Sequence, residues 1–254
     1  MGRVEGKVCL ITGGGSGLGR ADAIRLAEEG AKVVVTDVDV TGGEETASLA
    51  GNGAIFMQQD VVDEDRWQTV VADTVAQFGK LNVLVNNAGI VIPGTVESIT
   101  TEEWRLQQQI HMDGAFFGLK YGIDAIKQNG EPGSIINMSS TTALQGYSMA
   151  FAYGAAKGAI RTMTKHAAVH CLNLGYKIRV NSLHPGVIDT PMVRNLAGVA
   201  ATAAADDAPP PPPNPVGLGE PLDVANAVLF LASDESKFIN GVELPIDNTA
   251  TIQP

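Results

Sequence analysis

Seven short runs of almost unbroken apolar, β-branched residues punctuate the chain: Lys7–Thr12, Lys32–Thr36, Ala54–Met57, Leu81–Val85, Ser134–Met138, Ile178–Ser182 and Val242–Ile246. They lack the in–out alternation of a half-exposed sheet, so both faces are expected to be covered. Between them lie helical patterns, at about Gly17–Glu29, Thr41–Ala50, Glu64–Phe78, Glu102–Gln128, Ala150–Asn173 and Leu222–Ser233. Strand and helix alternating in this order predict parallel strands joined by crossover helices. The expected fold class is α/β. One domain over residues 1–254 forms a doubly wound, Rossmann-like parallel sheet of seven strands flanked by helices.

One stretch breaks the pattern. Gly198 to Pro221 is Ala-rich, passes through Asp206-Asp207 and then carries five consecutive prolines, Pro209 to Pro213. It cannot continue a helix and favours an extended polyproline conformation. We read residues of about 191–221 as a substrate loop; a plain surface loop and a docking segment for an aromatic-lined partner are the alternatives.

Composition narrows the class. The 254 residues are 44% hydrophobic and 18% charged, enough for a full α/β core and ordinary for a globular enzyme. A net charge of −11 argues against nucleic acid and anionic membranes, which reward a basic face. No apolar run approaches the length of a membrane span. The segment Met1–Gly6 has neither a signal peptide's apolar stretch nor a myristoylation pattern, so a cytoplasmic protein is expected. Cys9 falls in a predicted strand and Cys171 in a predicted helix, which reads as two reduced thiols.

The turn after the first strand is Thr12-Gly13-Gly14-Gly15-Ser16-Gly17-Leu18-Gly19. Glycines there permit a tight turn that brings backbone close to a pyrophosphate, and the free N–H groups of the following helix N-terminus face that anion. A glycine-rich structural turn is the alternative. Asp37 follows the second strand, where a carboxylate can accept both adenosine ribose hydroxyls and repel a 2′-phosphate. No Arg or Lys lies between Gly13 and Gly19, nor within three residues after Asp37, so the cofactor expected is NAD. Asp60-Val61 could bracket the adenine, and Asn86-Asn87-Ala88-Gly89 ends the fourth strand at the ligand-binding edge of such a sheet.

Hydride transfer between an alcohol carbon and a nicotinamide requires a proton to move on or off the oxygen. A phenol with an ordinary pKa near 10 is a poor base, and an adjacent ammonium favours its phenolate. Tyr153 and Lys157 stand one helical turn apart on one face and supply this pairing. Ser140, at the end of the fifth strand, can hydrogen-bond the substrate oxygen and hold it against Tyr153. His166 and His170 have a spacing able to bind zinc, but Glu is absent at 167 and no third ligand is evident, so no metal is expected.

With these motifs in one order, the chain resembles the single-domain branch of the short-chain dehydrogenase/reductase family, over nearly its whole length. The resemblance rests on Thr12–Gly19, Asp37, Asp60-Val61, Asn86–Gly89, Ser140, Tyr153-x-x-x-Lys157, and Pro185-Gly186 followed by Ile188 and Thr190. It implies cofactor contacts from Gly13, Ser16, Gly17, Leu18, Gly19, Asp37, Asp60, Val61, Asn87, Ala88 and Gly89. Tyr153 and Lys157 are expected to touch the cofactor as well, with Pro185, Gly186, Ile188 and Thr190 around the nicotinamide. It also implies a homotetramer pairing the helices at about Glu102–Gln128 and Ala150–Asn173. One position departs: the family's usual Asn, about 24 residues beyond Asn87, is His111 here. Either its backbone carbonyl suffices to hold the water that relays protons from the lysine, or its imidazole shuttles protons itself.

The expected activity is an NAD-dependent oxidoreductase for secondary alcohols and ketones. Thr142, Leu144, Gln145, Tyr147, Met149, Val187 and Met192 are expected to line the substrate pocket. They are mostly apolar or amphipathic, with no basic cluster to clamp phosphate or CoA, so an uncharged, hydrophobic or cyclic substrate follows. The alternatives are a polyol or sugar dehydrogenase, a β-ketoacyl reductase, or a non-catalytic NAD-binding regulator.

Overall fold

A computed structural model describes residues 2–196 and 217–253. The strands are β1 (Val8–Thr12), β2 (Lys32–Asp37), β3 (Ile55–Gln58), β4 (Val83–Asn86), β5 (Gly133–Met138), β6 (Ile178–Pro185) and β7 (Glu243–Ile246). They form one seven-stranded sheet in the order β3-β2-β1-β4-β5-β6-β7, and every pairing is parallel. The helices are α1 (Gly17–Glu28), α2 (Val40–Ala50), α3 (Glu64–Phe78), α4 (Thr101–Gln108), α5 (Gly114–Gln128), α6 (Phe151–Asn173) and α7 (Pro221–Ala232). The chain reverses its direction of travel across the sheet between β1 and β4, which opens a crevice beyond their carboxyl ends.

Unbroken apolar strands are what two covered faces require. On β1, Cys9 and Ile11 join one core with Leu26, Val228 and Leu229, whereas Leu10 joins the other with Trp67, Leu84 and Leu119. On β2, Val33 and Val35 divide from Val34 in the same way. Successive side chains point to opposite faces, so each strand contributes to two cores at once. Local signals set the helix ends: Thr100 and Glu103 form a reciprocal cap on α4, and Gly79 closes α3 in the left-handed region.

Two expectations are corrected. The helix expected at Glu102–Gln128 is interrupted by a single π turn, Gln109–Asp113, which separates α4 from α5. Such a turn carries one extra residue and marks functional positions; His111 lies in it. The sixth strand runs to Pro185, not Ser182, because Leu183, His184 and Pro185 pair with Leu244, Pro245 and Ile246. Of the expected substrate loop, residues 191–196 form a helical turn. Gly198, Asp206-Asp207 and the proline run Pro209 to Pro213 lie outside the described residues.

Asp22, on the inner face of α1, is fully buried, and neither carboxylate oxygen has a hydrogen-bond partner. Burial raises its pKa well above the ordinary 3.8. The folded state therefore holds this proton more tightly than the unfolded chain. Stability from that proton is present below about pH 4 and is lost as the pH rises toward the folded-state pKa. Asp22→Ala removes the unpaired group, and we expect it to stabilise the protein at pH 7 by about 1–3 kcal/mol. Its melting temperature should also vary less between pH 4 and pH 7 than that of the wild type. A destabilised variant at pH 7 would contradict the unpaired state.

Candidate active site and coenzyme cleft

The crevice at the switch point holds a cleft of about 360 Å³. One end is built by the first turn. Gly13 has φ +63°, and a Cβ there would lie 2.7 Å from the Ala88 backbone. At Gly19 a Cβ would come within 2.3 Å of the Gly13 carbonyl oxygen. Gly19 itself does not line the cleft; it lets α1 seat against the turn. Gly13, Ser16, Gly17 and Leu18 do line it, and the leading N–H groups of α1 have no intrahelical acceptor. Thr12 locks this turn to the next strand, its Oγ1 accepting from the Asn87 and Ala88 amides at 3.1 Å each. The Asn87 side chain in turn donates to the carbonyls of Thr12 and Gly13. Sequence reasoning placed Thr12 at the strand end and missed this clamp; a hydroxyl residue directly before the glycines was the available signal.

Asp37 stands at the carboxyl end of β2, its Oδ2 accepting from the Gly15 amide at 2.8 Å and its Oδ1 from the Asp39 amide at 2.9 Å. Asp60 and Val61 line the wall beside it. Gln59, not anticipated, joins them with both amide atoms buried and unpaired. Among the described residues lining the cleft, Lys157 is the only Lys or Arg. Arg20 reaches the Gly15 carbonyl from outside, and Glu45 neutralises it at 2.6 Å. A cradle shaped by absent Cβ atoms, a helix N-terminus and a rim carboxylate fit a dinucleotide.

At the other end, Ser140, Tyr153, Lys157 and His111 face the same space. Ser140 leaves β5 and opens a short 3₁₀ turn, Thr141–Ala143, its Oγ accepting from the Thr142 amide at 3.1 Å. The Ser140 side chain lies near enough to the Tyr153 hydroxyl to favour its phenolate. Lys157 donates to the Met138 carbonyl at 2.7 Å, with its Nζ 5.4 Å from the centre of the Tyr153 ring. Burial dominates both titrations: it pushes Tyr153 up to about 12, against the lowering influence of Ser140, and Lys157 down to about 7. The depressed phenol expected from the lysine's charge is therefore not what the cleft by itself produces. A buried phenol loses more from desolvation of its anion than it gains from a cation that is itself desolvated.

His111 is 1% exposed and packs edge-on against Tyr153, with ring centres 5.3 Å apart. Its Nε2 lies 2.7 Å from the Ile90 carbonyl and 3.3 Å from the Ile90 amide, the shorter contact favouring the proton on that nitrogen, and Nδ1 has no partner among the described residues. Burial lowers its pKa to about 3. Burial thus disfavours the charged imidazole that a proton shuttle near neutrality would use. The π turn turns His111 inward, where it fills the space that a side chain at position 89 would need.

Pro185, Gly186, Ile188 and Thr190 also border this end. The seven expected substrate positions divide. Met192 lines the cleft. Tyr147 and Val187 line a second cavity of about 860 Å³, which adjoins the first at Ile188. Thr142, Leu144, Gln145 and Met149 line neither: Thr142 holds Ser140, Gln145 bonds to the Tyr147 hydroxyl, and the Met149 carbonyl accepts from Gly94. Among the described residues no cluster of metal-ligating side chains is present, and no helix is long and apolar enough to cross a membrane.

Known proteins are similar to this chain over nearly its whole length. A family model described as enoyl-(acyl carrier protein) reductase matches residues 13–251. The chain is 44% identical to an NADP-dependent (R)-specific alcohol dehydrogenase of Lentilactobacillus kefiri, over 99% of both chains. It is 40% identical to a 3-beta-hydroxysteroid dehydrogenase of Comamonas testosteroni, over 97% of this chain and 96% of that protein. Among solved structures, carveol dehydrogenase from Mycobacterium avium in complex with NAD superposes with a TM-score of 0.90 at 30% identity, with both chains fully covered. With the glycine turn, the switch-point cleft and the Ser140–Tyr153–Lys157 cluster in one fold, the chain belongs to the short-chain dehydrogenase/reductase family of nicotinamide-dependent oxidoreductases.

Proposed function

We propose that this enzyme interconverts secondary alcohols and ketones, of uncharged, hydrophobic or cyclic type, using NAD(H). The observation that carries it is a single cleft with Asp37 at one end and Ser140, Tyr153 and Lys157 at the other. The two curated relatives above are named for alcohol chemistry, which favours this over the enoyl reduction in the family model's description. Polyols and β-ketoacyl thioesters remain the alternative substrates.

A bound nicotinamide supplies the hydride acceptor or donor. The chain supplies everything else. Ser140 Oγ, which accepts from the Thr142 amide, holds the substrate oxygen beside the Tyr153 hydroxyl in this reading. Tyr153, un-ionised at neutral pH, donates its phenolic proton to the carbonyl oxygen during ketone reduction and is left as the phenolate; oxidation is the reverse and starts from that phenolate, which takes the alcohol proton. Lys157, poised near neutrality by burial, anchors the helix turn to Met138 and carries the charge nearest the phenol. The second cavity offers room for the body of the substrate. Its Asp223 and Asp247 carboxylates already accept bonds from Glu220 and Thr251, and among the described residues no Lys or Arg lines it.

The direct test is a panel of acyclic, alicyclic and steroid secondary alcohols and polyols, read by NADH absorbance. Turnover confined to polyols or to acyl thioesters would refute the substrate class. His111 enters as a neutral brace, so we expect the rate profile between pH 5 and 8 to keep its shape in His111→Asn. An inflection that vanishes with the imidazole would restore the shuttle. We also propose a cytoplasmic homotetramer, in keeping with two free buried cysteines and with apolar residues such as Phe116, Val169 and Leu172 exposed on α5 and α6. A monomer mass by light scattering would exclude the assembly.

A further inference from the structure

Ser140 sits where the sheet comes apart. The β5–β6 ladder reaches Met138 opposite Leu183, and one further bond, from the Ser139 amide to the Leu183 carbonyl at 2.8 Å, closes it. Beyond this, β6 continues against β7 through His184 and Pro185, whereas the chain from β5 turns away into the 3₁₀ turn. Backbone pairing thus ends one residue short of the serine.

A side chain takes over at that point. His184 is fully buried on β6, and its Nδ1 lies 3.0 Å from the Ser140 carbonyl oxygen. A carbonyl only accepts, so Nδ1 carries the proton. Nε2 lies 2.9 Å from the Ser182 hydroxyl, which fixes the ring from its other side. The same Ser140 carbonyl also accepts from the Ala143 amide at 3.0 Å, so both of its lone pairs are used. Burial lowers the imidazole's pKa, which favours the neutral ring. Immediately after His184 come Pro185 and Gly186, which border the cleft.

We propose that His184 is a positioning residue, holding the Ser140 turn to β6 so that the serine hydroxyl and the Pro185–Gly186 wall keep a fixed separation across the cleft. The proposal rests on the reading of Ser140 as the group that holds the substrate oxygen. A buried donor bonded to a neighbouring backbone, with its second nitrogen anchored, resembles the outer-shell support that keeps catalytic groups within a fraction of an ångström of their working geometry.

The two imidazole nitrogens can be tested separately. The Asn amide nitrogen occupies the place of Nδ1, two bonds from Cβ, and the Gln amide nitrogen that of Nε2. His184→Asn should keep kcat within about threefold of the wild type; His184→Gln should lose about tenfold or more, with little change in NADH affinity. His184→Phe, of similar shape and without a donor, is a second variant of the losing kind should the Gln protein fail to fold. In a Ser140→Ala background the Gln substitution should cost nothing further. Full activity in His184→Gln, an equal loss in Asn and Gln, or an undiminished Gln effect without Ser140 would each overturn the proposal. A wild-type rate in Ser140→Ala would instead refute the reading of Ser140 on which it rests.

Discussion

Tyr153→Phe is expected to lower kcat by about 10²–10⁴-fold while NADH affinity stays nearly constant. The substitution keeps the ring that His111 packs against and removes only the hydroxyl. Folding should therefore survive, and thermal melting checks it in parallel. The reason for so large an effect is position: Tyr153 is read as the acid beside the substrate oxygen, whereas Lys157, the other acid of the cleft, is turned to the Met138 carbonyl. Burial favours the neutral form of His111, whose Nε2 faces the Ile90 carbonyl, and Ser140 is a poor proton donor of ordinary hydroxyl acidity. Initial rates of ketone reduction with NADH measure the loss. Substantial residual activity would mean that water or another group supplies the proton, and the mechanism would fall.

Coenzyme choice should respond almost as strongly to Asp37. Its carboxylate is fixed at the cleft rim by two backbone amides, so it cannot swing away from an added phosphate without giving up both bonds. Two like charges about 4 Å apart near a protein surface repel by up to about 4 kcal/mol. We therefore expect the wild type to prefer NAD over NADP by about 10²-fold or more in kcat/KM. Asp37→Ser with Val38→Arg should erase or reverse that preference. Val38 is exposed and already lines the cleft, so a guanidinium there has room to reach a phosphate. Equal efficiency of the unmodified enzyme with both coenzymes would refute the assignment. The Lentilactobacillus kefiri relative is NADP-dependent at 44% overall identity; overall identity says little about a choice made by one or two side chains.

The sequence by itself determined everything that depends on local periodicity and short motifs. Unbroken β-branched runs such as Val33-Val34-Val35 require burial on both faces, and only crossover helices on both sides of a parallel sheet provide it. The glycine turn was legible because close backbone approach excludes Cβ atoms, as Gly13 and Gly19 demonstrate. Tyr153 and Lys157 were legible because a helix fixes residues four apart on one face.

What the tertiary structure alone decided is the environment of each group. The π turn at Gln109–Asp113 left no mark in the residue pattern, since an extra residue in a helix is accommodated by what packs against it; here His111 faces Gly89 and Tyr153. The sign of the Tyr153 and Lys157 shifts was likewise inaccessible: spacing predicts proximity, but burial sets which ionised form survives, and desolvation is a sum over neighbours distant in sequence. The tie from His184 to Ser140 spans 44 residues and exists only because β5 and β6 lie side by side and then diverge. Residue type and spacing select the chemistry. The dielectric and the long-range hydrogen bonds, which tune it, come into being only when the sheet closes around them.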